Sequence, residues 1–170
     1  MGDLAGAHAI ATANRRPISD HNGYMRTSID PSLDADHYPF RHRLRVRFAE
    51  TDAMGIVHHS RYLPYLEEGR VEYLRSVGYP YDELRSTGVD LAVLEVFVAY
   101  RAPLRFDELI DVHVLLADAT RTALQMAYLL SVDGEVRATA VTVHGAVDSV
   151  SGRPRRLPEW IHRLVGGSTP

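Results

Sequence analysis

Apolar and polar positions alternate strictly from Arg41 to Phe48. Arg43, Arg45 and Arg47 fall on one face and Leu44, Val46 and Phe48 on the other, the period of a half-buried strand. The period breaks over Glu50 to His59, where Gly55 supplies a backbone freedom that other residues lack, and a loop is expected. The apolar spacing then becomes three to four residues, through Tyr62, Leu66, Gly69, Tyr73 and Val77, predicting a helix from about Arg61 to Val77. Ser60 is the expected N-cap, Pro64 is tolerated in the first turn, and Gly78-Tyr79-Pro80 marks the exit. Glu67, Glu68, Arg70, Glu72 and Arg75 occupy the remaining positions, so only a stripe of the helix is apolar, and Gly69 within it predicts close backbone packing. A short helical turn is expected from Tyr81 to Ser86.

After Gly88 the chain reads as successive strands. Leu91 to Tyr100 is almost continuously apolar apart from Glu95, which predicts a central strand. In Leu109 to Ala117, Ile110, Val112, Val114 and Leu116 alternate with Asp111 and His113. Segments Thr122 to Val132 and Val136 to Val147 flank Asp133-Gly134, a dipeptide favoured in tight hairpins. Gly152-Arg153-Pro154 is a turn, and Leu157-Pro158-Glu159-Trp160 opens a short terminal helix. Strand, long helix, then four or more antiparallel strands describe an α+β domain of one helix against one sheet. A lone helix covers one sheet face, so the second face is expected to meet another subunit, giving a homodimer or homotetramer.

Composition narrows the chemistry. The 170 residues suit one domain: a disordered N-terminal tail over residues 1–37, or a start assigned upstream of one such as Met25, then the domain proper over 38–165 and a short tail over 166–170. The net charge of −3 gives no electrostatic support for a nucleic-acid partner. With no cysteine, disulfides, thiolate metal sites and a Cys nucleophile are excluded, and a cytoplasmic location is the expectation. All 19 basic residues are arginine, which excludes Schiff-base and phosphate-loop lysine chemistry. No segment predicts a membrane span. His58-His59 lacks an accompanying His-Glu-x-x-His or Cys spacing, so neither a metal nor another cofactor is expected.

The run Arg45-Val46-Arg47-Phe48-Ala49-Glu50-Thr51-Asp52-Ala53-Met54-Gly55-Ile56-Val57-His58-His59-Ser60-Arg61-Tyr62 resembles the opening motif of hotdog-fold thioesterases, in the branch of 4-hydroxybenzoyl-CoA thioesterase and the Tol-Pal-associated acyl-CoA thioesterases. Tyr65-Leu66-Glu67-Glu68-Gly69-Arg70 is similar to the helix pattern that follows it. Tyr100 to Glu108, centred on Pro103, and Gly152 to Pro158 resemble two later segments, so the likeness runs from about His42 to Trp160. It implies a long central helix wrapped by a five- or six-stranded antiparallel sheet, protomers pairing edge to edge, and acyl-CoA as substrate at the dimer interface. It makes Asp52 the catalytic carboxylate and gives His59, at the helix start, the backbone N–H that meets the thioester carbonyl. Phe48 and His58 differ from the tyrosines often found at those positions.

Thioester hydrolysis needs a nucleophile and a group to stabilise charge on the carbonyl oxygen. A carboxylate such as Asp52 acts on water as general base or attacks directly to give a mixed anhydride, and both routes stay open. A helix N-terminus near His59 presents N–H groups to the oxygen. His58, Tyr62 and Glu67 are the expected substrate-binding residues. Each also has a plainer reading: an Asp in such a loop is commonly a turn former, tyrosines pack, and Glu67 with Arg70 makes an i,i+3 ion pair, internal or across a dimer. Arg101, Arg105, Arg121, Arg153, Arg155 and Arg156 either meet coenzyme A phosphates or are solvated strand ends. Hydrolysis of an acyl-CoA, or of an acyl-carrier-protein thioester, is the leading expectation. The alternatives are a hotdog hydratase or dehydratase, whose His-led or Asp-His motifs this loop does not match, and a non-catalytic acyl-thioester binding protein.

Overall fold

The structure is a computed structural model and describes residues 27–167. Five strands, β1 (Phe40–Arg45), β2 (Val89–Tyr100), β3 (Leu109–Ala119), β4 (Ala123–Val132) and β5 (Glu135–Asp148), form one antiparallel sheet in the order β1-β3-β4-β5-β2. Helix α1 (Tyr62–Ser76) lies on one face, followed by α2 (Tyr81–Ser86), with α3 (Glu159–Arg163) near the end.

The helix sits close because Gly69 faces β3: a Cβ there would stand 2.9 Å from Val112 Cγ1 and 3.2 Å from Val114 Cγ2. Around this approach Tyr65, Leu66 and Tyr73 from α1 pack with Ile110, Val112, Val114, Leu130 and Ala140 from the sheet in one core. The β4–β5 turn has positive φ at both Asp133 (49°) and Gly134 (82°), the tight mirror-image turn that matches strand twist.

Four expectations need correction. The run Leu91 to Tyr100 belongs to an edge strand, since among the described residues β2 pairs only with β5; its apolar continuity reflects side chains left exposed, Val93, Leu94, Val96, Phe97 and Tyr100, rather than burial on both sides. Strand β1 ends at Arg45, so Phe48 leaves the buried face, becomes 75% exposed and meets Phe106 edge to face at 5.6 Å. Ser60 is not the cap: a 3-10 turn over His59–Arg61 leads into α1, and His58 caps it, with Nδ1 accepting from the Ser60 N–H at 3.4 Å.

The fourth concerns the outer sheet face. Residues 27–37, grouped with the N-terminal tail on sequence, lie against it; residues 1–26 fall outside the described part. Thr27 donates its N–H and its hydroxyl to Glu95 Oε2, both at 3.0 Å, and Ser28 exchanges hydrogen bonds with the Gln125 amide. Ile29, Ala35 and Tyr38 pack over Ala127 and Leu129. Part of the face expected to need another subunit is thus covered by this chain itself, because the alternating β4 side chains present an apolar patch there that a local segment reaches.

Candidate active site

The loop after β1 is pinned on both sides. Thr51 bridges Val57, Ile56 bridges Arg105, and the Val57 N–H donates to the Leu104 carbonyl at 2.8 Å. Between them Asp52 turns the chain: its N–H donates to the Ile56 carbonyl, its carbonyl accepts from Gly55 N–H, and its Oδ1 accepts from Met54 N–H at 2.8 Å. Gly55 takes φ of 71°, the conformation that closes this turn. Asp52 is therefore a turn former, and one that still leaves Oδ2 without a partner among the described residues.

Below the loop lies Glu50, which no sequence signal marked. It is buried, and its carboxylate accepts from Tyr65 O–H at 2.6 Å, Arg47 N–H at 2.8 Å and Arg47 Nε at 3.1 Å. Burial pushes the Glu50 carboxyl up, but these donors outweigh it and hold it below the usual carboxylate range. Burial, reinforced by the Glu50 hydrogen bond, pushes the Tyr65 phenol well up, so the pair is one carboxylate and one neutral phenol. The Glu50 carbonyl also accepts from the His58 N–H at 2.9 Å, so one residue ties the loop's end and the first turns of α1 together.

At the helix start, Arg61 N–H donates to the His58 carbonyl and Ser60 N–H to His58 Nδ1, which leaves the His59 N–H as the first orphan donor. Tyr100 O–H donates to the His59 carbonyl at 3.2 Å, and the Tyr62 and Tyr100 rings meet edge to face at 4.8 Å. A cleft of about 400 Å³ is lined by Asp52, Met54, Ile56, Val57, His59, Tyr62, Tyr100, Arg101, Ala102 and Pro103. It joins a carboxylate, a helix N-terminus and an apolar wall, the set that an acyl-transfer reaction needs.

Residues 46–165 match the thioesterase-like superfamily. The chain belongs to that family. A protein of Aquifex aeolicus bearing a provisional esterase name is 42% identical over 127 residues, covering 75% of this chain and 98% of its own. The acyl-CoA thioester hydrolase YbgC of Escherichia coli is 28% identical over 123 residues, covering 72% and 92%. A crystal structure of a Thermus thermophilus protein superposes with a TM-score of 0.70 at 38% identity, over 75% of this chain and 98% of that one. The superfamily's hotdog architecture, a long helix embraced by an antiparallel sheet, is the fold described above.

Of the thioesterase-like chain's expected site residues, Asp52, His59 and Tyr62 line one cleft. His58 does not line it; its ring lies tilted by 39° against that of His59, centroids 4.0 Å apart, and its Nδ1 meets Ser60 Oγ at 2.8 Å, a capping position. Glu67 stands elsewhere, in a second cavity with Arg70. Tyr100 and the Glu50–Tyr65 pair were missed, whereas Arg101, read on sequence as either a coenzyme A phosphate contact or a solvated strand end, lines the cleft. Tyr100 opens the proline-centred segment, and that position in the motif is the one signal that could have found it. No described helix is long and apolar enough to cross a membrane.

Proposed function

We propose that this protein hydrolyses acyl-CoA thioesters, with Asp52 as general base or nucleophile and the N–H at His59 polarising the thioester carbonyl. The observation that carries the reading is the shared cleft: Asp52 and His59, whose N–H is the first orphan donor of the helix start, line the same opening, beside apolar Met54, Ile56 and Pro103. In the forward step the carbonyl oxygen takes up negative charge, which the N–H and the positive end of the helix dipole stabilise. Asp52 Oδ2 either removes a proton from attacking water or forms the acyl bond itself. The thiolate of coenzyme A leaves, and water supplies the second oxygen of the product acid. Arg101 at the cleft offers a cation to the phosphates of the leaving group.

The Asp52 loop and the His59 helix start favour the 4-hydroxybenzoyl-CoA and Tol-Pal-associated branch, and the acyl-carrier-protein thioester is the second carrier to test. The working unit is a homodimer or larger homo-oligomer in the cytoplasm. Support for pairing comes from β2, a 12-residue edge carrying exposed Val93, Val96 and Phe97, since a long apolar edge left open invites pairing and aggregation. The deciding experiment follows free thiol release by the full chain over short, long and aromatic acyl-CoAs, with crotonyl-CoA hydration run alongside. Release from at least one acyl-CoA is expected. Hydration without release, or tight binding without turnover, would replace this reading by a hydratase or a binding protein.

A further inference from the structure

Strand β4 is buried along all ten of its residues, although α1 covers only one face of the sheet. Leu124, Met126, Tyr128 and Leu130 belong to the core under the helix, whereas Ala127 and Leu129 point the other way and are closed over by Ile29, Ala35 and Tyr38. Gln125 lies on that outer face too, is 1% exposed, and holds Ser28 by both ends of its amide. Its Oε1 accepts from the Ser28 N–H at 3.1 Å, and its Nε2 donates to Ser28 Oγ at 2.9 Å.

Residues 27–38 are shaped for this face by their own bonds. Ser32 Oγ accepts from the Asp34 N–H at 3.1 Å, Asp34 Oδ1 from the Asp36 N–H at 3.0 Å, and the Tyr38 hydroxyl donates to the Ser32 carbonyl at 2.8 Å. A segment folded in advance loses little freedom on seating, and its tether keeps it at high local concentration, so it competes well against any free partner for the same surface. The segment stands ahead of residues 46–165, the part matched to the superfamily, so the shared domain does not itself carry this cover.

What the segment excludes is a second copy of this chain. Without it the outer face would show Leu115, Ala117, Ala127, Leu129 and Val136 around the Gln125 amide, an apolar patch of the kind that draws a protein partner. The amide carries both an acceptor and donors, so across a two-fold axis it can pair with its own copy as it now pairs with Ser28. Pairing along the open β2 edge would run the outer faces of two protomers into one surface, and a stack of two such pairs would bury the patch on every chain. We propose that residues 27–38 are a strap that occupies this stacking surface, so that the protein stops at a dimer and becomes a tetramer when the strap is displaced. The arrest at two chains rests on the β2 pairing of the proposed function; the blocking of the stack by the strap does not.

The test uses the full chain with and without S28P/I29R. Ser28→Pro removes the N–H and the hydroxyl that Gln125 holds, and Ile29→Arg puts a charge into the apolar contact; neither residue belongs to the core under α1 or to the Asp52 cleft. Light scattering is expected to give two chains for wild type and four for the double variant, about a twofold rise in mass, with kcat/KM per chain for thiol release unchanged. A peptide of residues 27–38 at millimolar concentration, the range that a short tether supplies, should return the variant to two chains, and the same peptide carrying I29R should not. Leu129→Arg added to the double variant should also undo the doubling, by charging the bared face. A wild-type protein of one chain that doubles to two in S28P/I29R would sink the β2 pairing and leave the role of the strap standing. Four chains in wild type, an undoubled mass in the variant, or a rise that neither the peptide nor Leu129→Arg reverses would overturn the proposal.

Discussion

Tyr65 Oη donates to Glu50 Oε2 at 2.6 Å, joining the first turns of the long helix to the base of the loop that holds Asp52. Both groups are buried, and the carboxylate is ionised by its donors. The bond therefore fixes where the Asp52 loop stands relative to the helix N-terminus. Tyr65→Phe removes one donor from a buried charge and is expected to cost about 1.5–3 kcal/mol of folding stability. Thiol release should fall more than stability alone explains. Denaturant unfolding and kcat/KM measured together check this, and an unchanged kcat/KM would show that the loop keeps its place without the bond.

Acid should destabilise the protein in two stages. Burial holds the His144 imidazole down to about 3, so the folded state stays neutral there while the unfolded chain takes up a proton below its ordinary value near 6.5. Stability is then full above pH 6.5 and declines by about 1.4 kcal/mol per pH unit as pH falls. Glu50, held below the usual range, adds its own loss only below about pH 4.5, where the unfolded carboxylate protonates first. His144→Asn should reduce the decline between pH 6.5 and 4.5, leaving the part that the buried His113 imidazole, also held below its ordinary value by burial, contributes, and Glu50→Gln should reduce only the part below it. Urea midpoints across pH 4 to 7 separate the two.

Gly69 tests the helix–sheet approach. Gly69→Ala gains helix propensity of about 1 kcal/mol but drives a methyl to 2.9 Å from Val112 Cγ1, and overpacking costs about 1–3 kcal/mol. A net loss in thermal unfolding is expected, with Val112→Ala costing less in the Gly69→Ala background than in wild type because it removes the clashing methyl.

The exposed edge of β2 predicts self-association. Phe97→Asp places a charge on that edge and should lower the mass seen by light scattering to that of one chain, with thiol release falling in step. A wild-type protein that is already monomeric and active would remove the dimer from the account.

The chain wrote its local structure plainly and its long-range order poorly. Asp133-Gly134 and the Tyr62-to-Tyr73 spacing speak to neighbours in sequence, and both elements stand where the pattern put them. The apolar run of β2 reports side chains that avoid water, which a central strand and an edge strand awaiting a partner share. Phe48 looked buried because alternation was carried past the strand's end. Glu50 was passed over because a glutamate after a strand reads as a solvated charge until Tyr65, fifteen residues on, is seen to bind it. Asp52 and His59 were legible through their motif, while the separation of Glu67 from them depends on which side of α1 each residue faces.

The central claim is that Asp52 drives thioester cleavage. Its most direct test is free thiol release by Asp52→Asn beside wild type, on the acyl-CoA that wild type turns over best. With folding matched by circular dichroism, a drop in kcat of about 100-fold or more is predicted from loss of the general base or nucleophile. Equal rates in the two proteins would contradict the account.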